Sequence, residues 1–190
     1  MNTVLHLDDS LLFNEGATRK CYLHPSDQGK YLKIEKKSDG TNRHDLESYH
    51  AVKTMMNHFT TTYDNELADT NFGKALVCEL VCDDNGQPSQ SFASYKTKRH
   101  INQKLTAQFM DFFNLLREND LFFYDFNPKN FLIQKTASGE QLKYTDLKSL
   151  GKTKTAFSLE KITCFARMKL NRRIRRFVSR YLLPQKKETH

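Results

Sequence analysis

Asp125 and Asn130 stand five positions apart in Asp125-Phe126-Asn127-Pro128-Lys129-Asn130, and Asp146 follows thirteen residues after Ile133. A carboxylate, an amide and a second carboxylate at this spacing suit phosphoryl transfer from a nucleotide. One carboxylate orients an acceptor hydroxyl, while the amide and the other carboxylate hold Mg²⁺ through hard oxygen ligands. Asp followed five positions later by Asn occurs by chance in many loops, so its weight depends on the residues around it.

The elements that would position these groups are readable in outline. Tyr31-Leu32-Lys33-Ile34 alternates as a strand, after the turn His24-Pro25-Ser26-Asp27-Gln28-Gly29. A lysine inside an otherwise apolar strand suits contact with nucleotide phosphates; the plainer alternative is an edge-strand lysine in solvent. Asn14 to Lys20, with its single Gly16, reads as a polar turn before Cys21-Tyr22-Leu23. A helix is expected from about 42 to 59, with Leu46, Tyr49, Val52 and Met56 at helical spacing. Glu47 in its first turns is the expected ion-pair partner of Lys33, with Asp45 a neighbouring competitor. Ala75 to Val81 reads as a buried strand, ended by the turn Asp83-Asp84-Asn85-Gly86.

The second half opens on an amphipathic helix from Gln103 to Asn119, with Leu105, Phe109, Phe112, Phe113 and Leu116 on one face. It leads into the loop carrying Asp125. Phe131 to Gln134 and Leu142 to Thr145 then flank the turn Thr136-Ala137-Ser138-Gly139 as a hairpin, and the remainder is helical and basic.

At 190 residues, 38% hydrophobic and 27% charged, the chain suits a single globular domain. The N-terminus lacks the basic and apolar regions of a signal peptide, which makes the cytoplasm the expected compartment. Cys21, Cys78, Cys82 and Cys164 are scattered and read as reduced, mostly buried thiols. The net charge of +8 is concentrated in Lys161 to Lys187; the remainder is close to neutral. Between Phe165 and Leu183 an apolar stripe runs beside a cationic face containing Arg172, Arg173, Arg175 and Arg176. Two readings stand at even weight. The helix packs on the core with its charges in solvent, or it lies against an anionic membrane surface or lipopolysaccharide, peripheral to the inner membrane. Nucleic acid ranks last, because no recognised motif accompanies the charge.

The spacing of Asp125 and Asn130 resembles the catalytic loop of protein kinases and aminoglycoside-type phosphotransferases. From about Leu11 to Arg180 the chain resembles the YrbL family of small bacterial kinase-like proteins. The matching features are Gly16-Ala17-Thr18-Arg19-Lys20-Cys21-Tyr22, Leu32-Lys33-Ile34, Glu47 before Tyr49, Asn127-Pro128-Lys129-Asn130-Phe131-Leu132, and Asp146. The resemblance implies a small two-lobed α+β fold of the protein-kinase type: an antiparallel sheet with one helix over 1–82, and a shortened helical lobe over 83–190. ATP would lie between the lobes, contacted by Gly16, Lys33, Glu47 and Glu79. Asp125 becomes the base, and Asn130 and Asp146 the Mg²⁺ ligands.

The departures matter. Phe123-Tyr124 replaces His-Arg, Asn127 stands where a catalytic lysine is usual, one glycine replaces three, and Leu147-Lys148 follows Asp146. The 151–155 stretch reads as a short polar link, and only 44 residues follow Asp146. These features favour a phosphotransferase acting on a small molecule, sugar or lipid-linked sugar over one acting on protein. The alternative is a pseudokinase that binds nucleotide or a regulatory partner.

Overall fold

A computed structural model describes residues 4–123, 125–150 and 159–183, with side chains from 164 onward in the last segment. Tyr124 and the polar link 151–155 lie outside the described residues.

The first half is a five-stranded antiparallel sheet and one helix. Strands β1 (Leu12–Glu15), β2 (Arg19–Leu23), β3 (Lys30–Glu35), β4 (Ala68–Thr70) and β5 (Gly73–Glu79) pair in the order β1-β2-β3-β5-β4. The expected hairpin is present, but the polar turn shrinks to Gly16–Thr18, because Arg19 and Lys20 already pair with Glu35 and Ile34 of β3. The period of two divides β3 between faces. Leu32 and Ile34 join Leu7, Tyr22, Ala75 and Val77 in a small outer core. Tyr31 and Lys33 face the other way.

Helix α1 (Thr41–Val52) lies on that second face and ends before the expected residue 59. Beyond Val52 the chain makes irregular turns through Thr54, Asn57 and His58, residues with little intrinsic preference for helix. The Glu35 carboxylate accepts from the backbone N–H groups of Asp39 and Gly40, so an anion sits at the start of α1.

The second half contains β6 (Gln90–Ser91), α2 (Phe92–Lys98), α3 (Gln103–Glu118), β7 (Phe131–Thr136), β8 (Gly139–Tyr144) and α4 (Leu159–Phe177), which runs into a π-helical turn, Val178–Leu182. β6, β7 and β8 form a second antiparallel sheet. Asn102 caps α3, its side chain accepting from Leu105 N–H. All five apolar residues expected on the inner face of α3 are buried. They pack with Phe92, Phe123, Phe131, Tyr144 and Phe177 in an aromatic core that also takes in Leu46, Tyr49 and Val52 of α1. Among the described residues no helix is long and apolar enough to cross a membrane.

Candidate functional site

Lys33 on β3 is 5% exposed. Its amine donates to the Thr145 carbonyl at 2.8 Å, lies 3.4 Å from the Tyr63 hydroxyl, and pairs with Asp45 at 3.5 Å. Asp45, not Glu47, is therefore the acid that meets Lys33. Residues two apart on an α-helix point about 200° from one another, so only one of the two can face the sheet. Asn42, Asp45, Tyr49 and Val52 form the buried stripe, and Glu47 falls on the exposed side. Asn42 fixes the choice, because its amide donates to the Lys33 carbonyl at 2.7 Å and locks α1 to β3 in this rotation.

Asp45 is fully buried, accepts from Arg19 at 2.6 Å, the Tyr63 hydroxyl at 3.3 Å and Leu147 N–H at 3.0 Å, and forms an ion pair with Lys33 at 3.5 Å. Burial works against its charge, but Lys33 and Arg19 outweigh it and hold the carboxyl below the usual carboxylate range. Nearby, burial pushes the Cys78 thiol up to about 12, which keeps it neutral.

Asp125, Asn130 and Asp146 converge at the other wall. The Asn130 amide nitrogen reaches Asp125 at 3.3 Å and Asp146 at 3.4 Å, so one side chain spans both carboxylates. The loop holds itself in this form. Asp125 accepts from Asn127 N–H, Asn127 from Lys129 N–H, and the buried Tyr144 hydroxyl donates to the Asp125 carbonyl. Pro128 opens a short 3₁₀ turn ending at Asn130, and Thr145 N–H donates to the Asn130 carbonyl, placing Asp146 beside it.

Arg19 completes the cluster and was not legible as a site residue. It is 7% exposed, and its guanidinium joins Asp45 of α1 to Asp146 at 3.0 Å. Assigning it to a turn hid it; strand pairing puts it on the same face as Cys21 and Lys33. The Asp146 carboxylate is consequently occupied at both oxygens, by Arg19 on one and by Asn130 and Lys148 on the other. Asn130 and Asp146, the expected Mg²⁺ ligands, stand side by side, and the Asp146 carboxylate is paired with Arg19 and Lys148.

Beside these clusters lies a cleft of about 410 Å³, within the usual range for small-molecule sites. It reaches Lys129 and Thr145, but Lys33, Asp45, Asp125, Asn130 and Asp146 are not among its lining residues. Phe13, Cys21 and Tyr31 line it from the sheet, Glu79 to Val81 from the connection between the halves, and Lys129, Leu132 and Thr145 from below. Tyr31 packs edge-on against Phe13, with ring centroids 5.6 Å apart. Glu79 thus borders the cleft, although its carboxylate accepts from the Thr62 backbone and hydroxyl. Gly16 forms the tight β1–β2 turn through its N–H to the Arg19 carbonyl, and it is not among the lining residues.

The basic helix packs on the core. Ala166, Leu170, Ile174 and Phe177 are buried, and Phe177 meets Phe109, Phe113 and Phe131 at 5.3–5.5 Å. Ile174, Phe177 and Leu182 of the apolar stripe pack on the core, whereas Phe165 and Met168 are exposed. Arg172, Arg175 and Arg176 point to solvent, and Arg173, Arg176 and Arg180 line a recess of about 160 Å³ together with Phe126 and Tyr181. Phe126 directly follows Asp125, so this recess adjoins the loop.

The sheet, the inward helix with its buried Lys33–Asp45 pair, and the Asp125–Asn130–Asp146 wall define a kinase-like α+β fold. Solved protein kinase domains share it. The BubR1 kinase domain matches at 19% identity and TM-score 0.55, covering 78% of this chain and 49% of that one. A double variant of the Mycobacterium tuberculosis PknI kinase domain matches at 13% identity and TM-score 0.52, covering 75% and 58%. The chain therefore spans about half to three-fifths of the kinase domains it matches. No curated protein matches. The family model described as PhoP regulatory network protein YrbL matches residues 5–182, and the chain belongs to that family.

Proposed function

We propose that this chain binds a nucleotide in the 410 Å³ cleft and directs phosphoryl transfer to a hydroxyl acceptor, a small molecule, sugar or lipid-linked sugar. The observation that carries this reading is the Asn130 amide set between Asp125 and Asp146, opposite the buried Lys33. The base would lie beside Phe13, Tyr31 and Leu132, with the phosphates toward Thr145 and Lys129. Lys129 lines the cleft two residues beyond Asn127 and supplies a cation near the place where a catalytic lysine is usual.

Asp125 would accept a hydrogen bond from the acceptor hydroxyl and align it, with one of its oxygens held by Asn127 N–H. The arginine-lined recess beside Phe126 favours an acceptor that carries negative charge. The exposed Arg172, Arg175 and Arg176 would suit the anionic cytoplasmic face of the inner membrane or a lipopolysaccharide precursor. Asp146 and Asn130 would hold a Mg²⁺ that neutralises phosphate charge, in competition with Arg19 and Lys148 for the Asp146 carboxylate.

A second reading, nucleotide binding without transfer, is favoured by one observation: Arg19 sits on the carboxylate that would otherwise carry the metal. Incubation with γ-labelled ATP and with anionic sugars or lipids separates the two. Label in an acceptor or in released phosphate, lost on Asp125→Ala, supports transfer. ATP binding with no turnover supports the second reading. No change in melting temperature at high ATP excess sinks both, since ligand at a hundredfold over its Kd adds about 2.7 kcal/mol.

A further inference from the structure

Arg173, Arg176 and Arg180 stand three and four positions apart, so they share one side of α4 and its π-helical continuation. All three line the recess of about 160 Å³ whose other walls are Phe126, Phe177 and Tyr181. No carboxylate is among its lining residues, and residues 161–183 contain no Asp or Glu. Asp120 is held by Arg167, and Asp125, next to Phe126, accepts from Asn127 N–H and the Asn130 amide. Lys96 of α2 adds a further cation. Its amine lies 4.9 Å over the Tyr181 ring and donates to the Arg180 carbonyl at 3.0 Å, while the Arg180 guanidinium lies 5.4 Å from the same ring centroid. Burial, and then the charge of Arg180, holds the Lys96 amine below its usual pKa, the direction expected where cations crowd. The aromatic core fixes this recess beside the loop. Phe126 packs edge-on against Phe113 at 5.4 Å and meets Phe177 at 6.5 Å, so the residue after Asp125 and the arginine-bearing helix share one anchor.

We infer that this recess is a phosphomonoester site, and that it holds a phosphate already carried by the acceptor, beside the Asp125 that aligns the acceptor hydroxyl. The acceptor role rests on the transfer reading above and deepens it, from a compound bearing negative charge to one bearing a phosphate monoester. Charge decides between the anions. A carboxylate brings one negative charge to three guanidinia, whereas a phosphate monoester brings about −1.5 to −2 at pH 7 and three strong acceptor oxygens. Guanidinium forks match those oxygens two at a time. Arg176 and Arg180 are exposed and Arg173 is half-buried, so the recess opens to solvent and admits a ligand without rearrangement of the core.

The test is equilibrium binding to the full chain by calorimetry, with glucose 6-phosphate and glucose as probes and ATP affinity measured on the same preparations. Glucose 6-phosphate should bind saturably with a Kd of about 1 mM or below, and glucose should not bind in that range. Arg176→Gln should weaken the sugar phosphate at least about tenfold, the loss expected of one charge-assisted hydrogen bond. Arg172→Gln removes an equal charge from the same helix outside the recess, and should stay within about threefold, because exposed charges at a distance are screened. Both positions are exposed, so neither change touches the core. Saturating ATP should leave sugar-phosphate binding in place, since cleft and recess are lined by different residues. Vesicles containing phosphatidic acid separate the two sources of a monoester. Binding to them in place of the sugar phosphate, with the same dependence on Arg176 over Arg172, assigns the phosphate to a lipid headgroup. Binding of neither probe, equal losses in the two variants, or displacement by ATP overturns the inference and leaves ATP binding standing. A wild type that binds the monoester but not ATP overturns the transfer reading and the acceptor role with it, and leaves the phosphate site.

Discussion

Arg19 and Asp146 are 127 residues apart in the chain, and their side chains meet at 3.0 Å with both almost fully buried. This contact ties β2 to the segment after β8, and so joins the two halves of the fold through charge. Removing one member of a buried ion pair leaves an uncompensated charge and costs about 3–5 kcal/mol. Arg19→Met should fall near the low end, because Asp45 keeps Lys33 and Asp146 keeps Lys148. For a chain of this length that is a fall of roughly 6–12 °C in Tm, read by thermal denaturation.

Asp45→Ala should be far more damaging than Glu47→Ala. The first strands Arg19 and Lys33 without their shared partner and should cost at least about 3 kcal/mol. The second removes an exposed carboxylate, whose interactions are worth up to about 1 kcal/mol. Urea midpoints of the two variants decide the matter, and equal losses would return Glu47 to the site.

The same carboxylate predicts a pH response. The folded-state pKa of Asp45 is held below its ordinary value, so its contribution is fully present above the unfolded value of about 3.9. That contribution is lost as pH falls through the folded pKa. Asp45→Asn should be less stable than the wild type at neutral pH, and should lose less of its remaining stability below about pH 4. Parallel acid limbs for the two proteins would contradict this.

Much of this was legible from sequence, and the failures have physical causes. The α3 face could be read because five large apolar residues repeat at helical spacing. The β7–β8 hairpin could be read because a Ser-Gly turn separates two apolar runs. Asp125, Asn130 and Asp146 converge as their spacing suggested. Glu47 was misplaced because Asp45 and Glu47 sit in the same helical turn, and only the Asn42 bond to the Lys33 carbonyl fixes the helix rotation. Arg19 was missed because polar neighbours around Gly16 read as a turn; its role depends on strand register and on Asp146, far along the chain. The one local signal was a strand-face period running Arg19, Cys21, Leu23.

Asp125→Asn separates alignment from binding. If Asp125 orients the acceptor, the variant should keep ATP affinity within a few-fold while transfer falls by roughly 10²–10⁴. Asp125 also accepts from Asn127 N–H, so a purely structural role would lower melting temperature, affinity and transfer together. Measuring all three on one preparation distinguishes these outcomes.

Phe177→Ala tests whether the basic helix is integral to the core. The ring is 3% exposed and contacts Phe92, Phe109, Phe113 and Phe131. Its removal should cost about 3–5 kcal/mol. A loss under about 1 kcal/mol, well below any buried phenylalanine, would mean the helix docks only loosely.

The aromatic core has a consequence for how the molecule comes apart. It draws residues from Leu46 in α1 to Leu182 beyond α4, so neither half holds a complete core of its own. Heat or denaturant should therefore melt both halves in one all-or-none transition, reported identically by far-UV and near-UV signals. A protein severed near residue 82 would expose Leu76 and Cys78 on one fragment and, on the other, the Phe112 ring that meets Phe59. Such fragments should be recovered as folded material only when co-expressed, by reassembling on each other.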